Sequence, residues 1–250
     1  MRNLYLVSYP RSGQHYTQRM IEDVTGEDEY CELYNCWVEG CPGQSLPFSE
    51  KSPCLSGRRI QKTHDFDLNF PVNPAAQYAV LLRRPMLSIA SWYEFEVNAK
   101  GMEDSLMIWE DFAREKSTYW DSFVNKWCDA AEAHDNVKIF RYEDMTTDPA
   151  TISEFFAANF PGSDPAKIEY FAQKQVRQLS QGHVGGRSLA MFKYPLRDAV
   201  NTARANISVD TLARLGYTDV LPADYAAVLQ AEDAAVPPHE DRRWWQFWKT

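Results

Sequence analysis

The stretch AQYAVLLRRP, residues 76–85, is apolar at almost every position until two arginines and a proline end it. A strand with one wet face alternates polar and apolar side chains; a run without alternation must be covered on both faces, as in the middle of a parallel sheet. Covering both faces takes helices on both sides, so this one segment predicts a layered α/β domain. At 250 residues the chain is long enough to bury such a core. We read residues 1–235 as a single domain and residues 236–250 as an aromatic tail.

The flanking pattern agrees. LYLV leads a strand over residues 3–8, and Tyr16, Met20, Ile21 and Val24 then recur at helical spacing, with Gly26 as a stop. Residues 27–58 mix Cys, Gly, Pro, aromatic and acidic residues without a period, which reads as a long excursion serving as a lid or a wall of an acceptor pocket. RRIQKTH gives a second short strand, and a helix is expected from about residue 86. Between residues 103 and 134 the positions Leu106, Trp109, Ala113, Trp120, Phe123, Val124, Trp127 and Ala131 follow a three-to-four spacing, a long amphipathic helix with room for one break. NVKIFRYEDM reads as a further strand. DPATISEFFAANF and DPAKIEYFAQKQV each place Pro in a first helical turn behind an acidic cap. Strands alternating with helices imply a doubly wound parallel sheet with ligands at the strand carboxyl ends.

The 26 basic and 35 acidic residues leave a net charge of −9, which argues against nucleic acid or an anionic surface as partner, so any anion site has to be local. No leader or membrane-length apolar run is visible, and the chain reads as soluble and cytoplasmic. Reduced thiols are then expected for Cys31, Cys36, Cys41, Cys54 and Cys128. The four-residue gaps without a neighbouring His do not make a metal knuckle, while a disulfide within residues 31–54 stays open.

Three stretches carry chemistry. SYPRSGQHYT, residues 8–17, runs from strand through turn to helix, so the N–H groups of residues 12–16 and the helix dipole can hold an anion, with Arg11 as a forked cation and Ser12 as a donor. A plain βα turn with a surface Arg would look similar. GxxxxGK[ST] is absent, so there is neither a P-loop Lys nor a magnesium-holding Ser/Thr, which disfavours a triphosphate hydrolase. In QKTHDFD, Lys62 and His64 stand two apart on an extended segment and project together with Ile60. The ammonium would press the imidazole pKa down and keep it neutral, able to take a proton, provided this strand ends beside the first. In LLRRPMLSIASWY, Arg83 or Arg84 ends a strand, and Ser88 and Ser91 share a face of the next helix, a second phosphate pocket or a surface pair with carboxylates.

Together these pieces resemble the sulfotransferases that use 3′-phosphoadenosine 5′-phosphosulfate (PAPS). YPRSGQHY is similar to their 5′-phosphosulfate loop, YP[KR]SGxxW; KTH resembles the strand bearing the general base; RRPMLSIAS resembles the 3′-phosphate motif; RYEDM followed by DP resembles a later strand-end signature. The four occur in order across about residues 3–150. The resemblance implies a P-loop-like, three-layer α/β fold with a central, mainly parallel sheet flanked by helices. It implies that Arg11, Ser12, Gly13, Gln14 and His15 bind the 5′-phosphosulfate, that Tyr16 takes the place of the aromatic stacked on adenine, that Arg83 and Ser91 hold the 3′-phosphate, and that Tyr142 lies near the adenosine. Lys62 would neutralise the bridging and sulfuryl oxygens, Arg11 would share that work, and His64 would be the base. Two departures from the family pattern stand out: Arg11 replaces the frequent Lys, which is compatible with the role, and Tyr16 replaces Trp with a smaller stacking face. The late RKGxxGxW segment is not recognisable; GGRS and PLRDAVNTARANIS are candidates, and Arg197 is preferred to Arg187 as a further 3′-phosphate cation.

The reaction so implied is in-line sulfuryl transfer to a hydroxyl or amine of a small organic acceptor, without a metal, releasing adenosine 3′,5′-bisphosphate (PAP). Tyr30, Tyr34, Trp37, Phe48, Trp92, Tyr93 and Phe95 are candidates for lining the acceptor pocket, with core packing as their alternative use. The tail HEDRRWWQFWKT would fold back on the domain, seal a homodimer or touch a membrane interface, the last weakened by the acidic body. Two rivals remain: a P-loop small-molecule kinase and a non-catalytic nucleotide-binding protein. Lys62 and His64 discriminate against the second, since binding alone needs neither.

Overall fold

The computed structural model describes residues 4–25, 30–32, 60–148, 150–159, 164, 166–167 and 192–225. Five strands form one sheet: β1 (Leu4–Ser8), β2 (Tyr30–Glu32), β3 (Ile60–Thr63), β4 (Gln77–Leu82) and β5 (Val137–Arg141). Their order is β2-β3-β1-β4-β5, and every pairing is parallel. The helices are α1 (Gln14–Thr25), α2 (Pro85–Lys100), α3 (Leu106–Ala133), α4 (Tyr142–Thr147), α5 (Ala150–Asn159), α6 (Arg197–Asn206) and α7 (Val209–Arg214), followed by a 3₁₀ turn at Ala223–Tyr225.

β1 is buried at every residue, as a central strand must be, and its two faces feed two cores. Tyr5 and Val7, with Tyr78, Val80 and Leu82 of β4, pack under α2, α3, α6 and α7 around Trp109, Trp120, Phe123 and Trp127. Leu4 and Leu6, with Ala79, Leu81 and Phe140, pack under α1, α4 and α5 around Tyr16, Met20, Met145 and Phe156. The result is the three-layer α/β arrangement expected from the sequence.

Three elements differ from their expected form. The helix of residues 103–134 is unbroken over 28 residues, capped by Ser105, whose hydroxyl accepts from the Ile108 N–H. NVKIFRYEDM is strand only as far as Arg141. From Tyr142 the chain is helical, because Glu143 and Asp144 suit the positive end of a helix dipole. Arg141 also holds the Asp144 carboxylate through two bonds of 2.6 and 2.7 Å. The irregular excursion of residues 27–58 contains an edge strand, β2, paired with β3; its other positions, including Tyr34, Trp37 and Phe48, lie outside the described residues. So do Arg187 with GGRS, most of DPAKIEYFAQKQV, and the tryptophan-rich tail. No described helix is long and apolar enough to cross a membrane.

Candidate active site

The register sets the site. β1 pairs with β3 so that Val7 faces Thr63, and with β4 so that Ser8 faces Leu81; β4 pairs with β5 so that Leu82 faces Arg141. The carboxyl ends of all four strands therefore lie side by side, and the condition placed on His64, that β3 end beside β1, is met.

The loop after β1 is tightly wound. The Ser12 N–H donates to the Tyr9 carbonyl at 3.2 Å, and the first bond of α1 runs from the Thr17 N–H to the Gly13 carbonyl at 3.0 Å. Arg11 and Gly13 both have positive φ, 64° and 92°. For Gly13 no other residue would serve: a β-carbon there would lie 2.5 Å from Cδ2 of Tyr142. Ser12 and Gln14 are buried, yet Ser12 Oγ and Gln14 Nε2 have no hydrogen-bond partner among the described residues. Buried donors are normally satisfied, so two such atoms at one helix N-terminus mark a place where a ligand supplies the acceptors.

Two guanidinium groups converge on this loop. Nε of Arg11 donates to Ser91 Oγ at 3.2 Å, and its Cζ lies 5.2 Å from the centre of the Phe95 ring. Arg83, 8% exposed, lies over the Tyr142 ring at 4.7 Å. Burial and then the charge of Arg83 lower the pKa of Arg11, while burial lowers that of Arg83. Two like charges that are partly desolvated and coupled to each other favour an anion between or beside them. Arg84 is used differently: its N–H donates to Glu143 Oε1, its Nη1 donates to the Asp219 and Leu221 carbonyls, and it lies 4.4 Å over the Tyr217 ring. Of the arginine pair, Arg83 faces the site and Arg84 clasps the chain that follows α7. The serine pair divides likewise, since Ser88 is buried and bonds back to the Arg83 and Arg84 carbonyls, leaving Ser91 to meet Arg11.

His64 sits one residue beyond β3. Its Nδ1 lies 2.9 Å from the Ser8 carbonyl and 3.2 Å from Ser8 Oγ. A carbonyl only accepts, so Nδ1 carries the hydrogen and Nε2 carries the lone pair. Burial, more than any neighbour, pulls the His64 pKa from 6.5 to about 3, with Lys62, His15 and Lys100 adding to the effect. The neutral state expected from the sequence is thus present, but desolvation leads and the ammonium follows. Lys62 is buried, and burial brings its pKa from 10.5 to about 8.

The site thus assembles β1-end, β3-end, β4-end and β5-end residues around one anion-attracting loop. The sequence profile of the sulfotransferase domain matches residues 2–155, more than half of the chain. The chain belongs to the sulfotransferase family. This sulfotransferase has the fold of the mouse sulfotransferase SULT7A1, whose crystal structure is complexed with PAP: the TM-score is 0.57 at 15% identity, over 87% of this chain and 89% of that one. Among curated protein sequences no match is found. Family membership makes the protein a transferase of the sulfuryl group.

The other expected residues of this sulfotransferase take the following places. The Tyr16 ring belongs to the second core, 9% exposed, with its hydroxyl 3.5 Å from the Met145 carbonyl. His15 is exposed on the first turn of α1. Arg197 opens α6, which packs against α3. Tyr93 packs on Trp109 and Phe112 and donates to Asp104, a core use, whereas Phe95 stays 38% exposed. Phe66 was not anticipated: 46% exposed, it stacks on Trp92 at 5.8 Å and stands 5.2 Å from the His64 ring. An apolar residue left in water two positions after KTH was the signal.

Proposed function

We propose that the protein transfers the sulfuryl group of PAPS to a hydroxyl or amine of a small organic acceptor, with His64 as general base. The observation that carries this reading is His64 itself: a neutral imidazole, its Nδ1–H fixed on the Ser8 carbonyl and its Nε2 carrying the lone pair, beside a loop with two unsatisfied buried donors. The residues suit a nucleotide with a phosphate at each end of its ribose. Arg11, Ser12 Oγ, Gln14 Nε2 and the first-turn N–H groups of α1 would take the 5′-phosphosulfate; Arg83 and Ser91 would take the 3′-phosphate, with Tyr142 beside the adenosine. His15 and Arg197 remain part of the reading as outer contacts, whereas Tyr16, used in the core, is assigned the packing of α1 rather than a place against the base.

In the transfer, Nε2 of His64 would remove the acceptor proton as the acceptor oxygen or nitrogen attacks sulfur, an effect worth about 10²- to 10⁴-fold. Lys62 and Arg11 would meet the charge developing on the sulfuryl oxygens and on the departing 5′-phosphate. Lys62 is suited to this because an arriving anion restores the charge that burial has weakened. Phe66, Trp92 and Tyr119 would form the acceptor wall, since the Phe66 ring adjoins His64, Trp92 and Tyr119.

The test is release of the bisphosphate from PAPS in the presence of a panel of phenols, alcohols and amines. Acceptor-dependent release that falls at least a hundredfold in His64→Ala is the expected result. Release that needs no acceptor, or that survives in His64→Ala, contradicts the reading, and magnesium-dependent ATP consumption would replace it with a kinase.

A further inference from the structure

We infer that Asp65, a buried carboxylate paired with the partly exposed Lys126, is a positioning residue that holds His64 in its working tautomer and orientation; this rests on the reading of His64 as the base. Asp65 is wholly buried and has a positive φ of 49°. Its carboxylate takes three donors, two of them from distant chain: Lys126 Nζ at 2.5 Å and Trp127 Nε1 at 3.1 Å on Oδ2, and, from five residues on, the Phe70 N–H at 2.8 Å on Oδ1. Lys126 also reaches the Phe70 carbonyl at 2.9 Å, and the Asp65 N–H donates to Thr63 Oγ1 at 2.9 Å.

A buried ion pair is seldom better for stability than apolar side chains of equal volume, so what this one contributes is geometry. A non-glycine residue in the left-handed region is disfavoured, and the three-donor grip on its carboxylate offsets that cost. The turn it enforces ends β3 at Thr63 and swings His64 out of the strand. There the Tyr119 hydroxyl donates to the His64 carbonyl at 2.5 Å, and Nδ1–H meets the Ser8 carbonyl. Two consecutive residues are thus fixed by α3 on one side and by β1 on the other. With Nδ1–H committed, the lone pair stays on Nε2 and the ring keeps one orientation.

Nitrogen-15 NMR of the imidazole, with steady-state kinetics on the same samples, tests this. Wild type is expected to show a single neutral Nδ1–H tautomer for His64. Lys126→Met leaves the Asp65 carboxylate without its cation, so its melting curve is taken first; the folded protein is expected to give a mixture of tautomers. Its kcat should fall about 10- to 100-fold, with the KM for PAPS and the bisphosphate Kd within twofold of wild type. Lys126→Arg should recover most of both, and Asp65→Asn should match Lys126→Met wherever its melting curve shows a folded protein. A Lys126→Met protein that keeps the single tautomer and wild-type kcat overturns the proposal while leaving His64 as the base. Full activity in His64→Ala overturns the base reading, and with it any catalytic purpose for Asp65, whatever the tautomer.

Discussion

The Tyr142 ring stands directly against Gly13: the position of a β-carbon on that glycine is 2.5 Å from Tyr142 Cδ2 and 3.1 Å from Cε2. Two motifs 129 residues apart in sequence are therefore complementary surfaces of one site, and the same ring receives Arg83 at 4.7 Å. Gly13→Ala would meet both the positive φ and the clash. The backbone part alone costs about 1–2 kcal/mol. We expect at least a tenfold loss of bisphosphate affinity with a modest fall in Tm, read by titration and thermal melting. Wild-type affinity in Gly13→Ala would show that Tyr142 moves aside freely.

His64 makes stability depend on pH in a definable window. Its folded pKa is about 3 against an ordinary 6.5, so between these values the unfolded chain binds a proton that the folded chain refuses. Above pH 6.5 neither state is protonated and the group has no effect. As pH falls below 6.5 stability is lost, by up to about 1.4 kcal/mol per pH unit, until the folded imidazole also protonates. His64→Gln should flatten that limb in calorimetric scans between pH 4 and 7. Parallel curves for the two proteins would mean that the imidazole is not held neutral by burial.

Lys62 predicts proton uptake on ligand binding. Its folded pKa of about 8, lowered by burial, leaves it largely neutral at pH 9. An anion beside it favours the ammonium. Titrations of PAPS at pH 9 in two buffers of different ionisation heat should show uptake of a fraction of a proton, absent in Lys62→Met. Affinity should weaken as pH rises through 8. Identical uptake in the variant would place the anion away from Lys62.

Much of this was readable from local pattern. The unalternated run at residues 76–85 marks the interior strand β4, and the turn after Ser8 marks the loop, because both depend on neighbours within a few residues. Sheet order does not, and only the pairing of β1 with both β3 and β4 put His64 beside the loop. Local pattern points to Lys62, two residues away, as the cause of the depressed His64 pKa, whereas burial is the larger effect. Asp65 carries no local signal for the same reason: its partners Lys126 and Trp127 are 61 and 62 residues away. α6 was readable in hindsight from Ala199, Val200 and Ala203, small side chains whose spacing is helical but whose apolar signal is weak.

The most direct measurement is calorimetric titration of adenosine 3′,5′-bisphosphate, and separately of ATP with magnesium, into wild type and Arg83→Ala. Tight, metal-independent binding of the bisphosphate, weakened at least tenfold by loss of the buried guanidinium, is the expected result. No binding, or a preference for ATP with magnesium, would contradict the assignment of this strand-end site to PAPS.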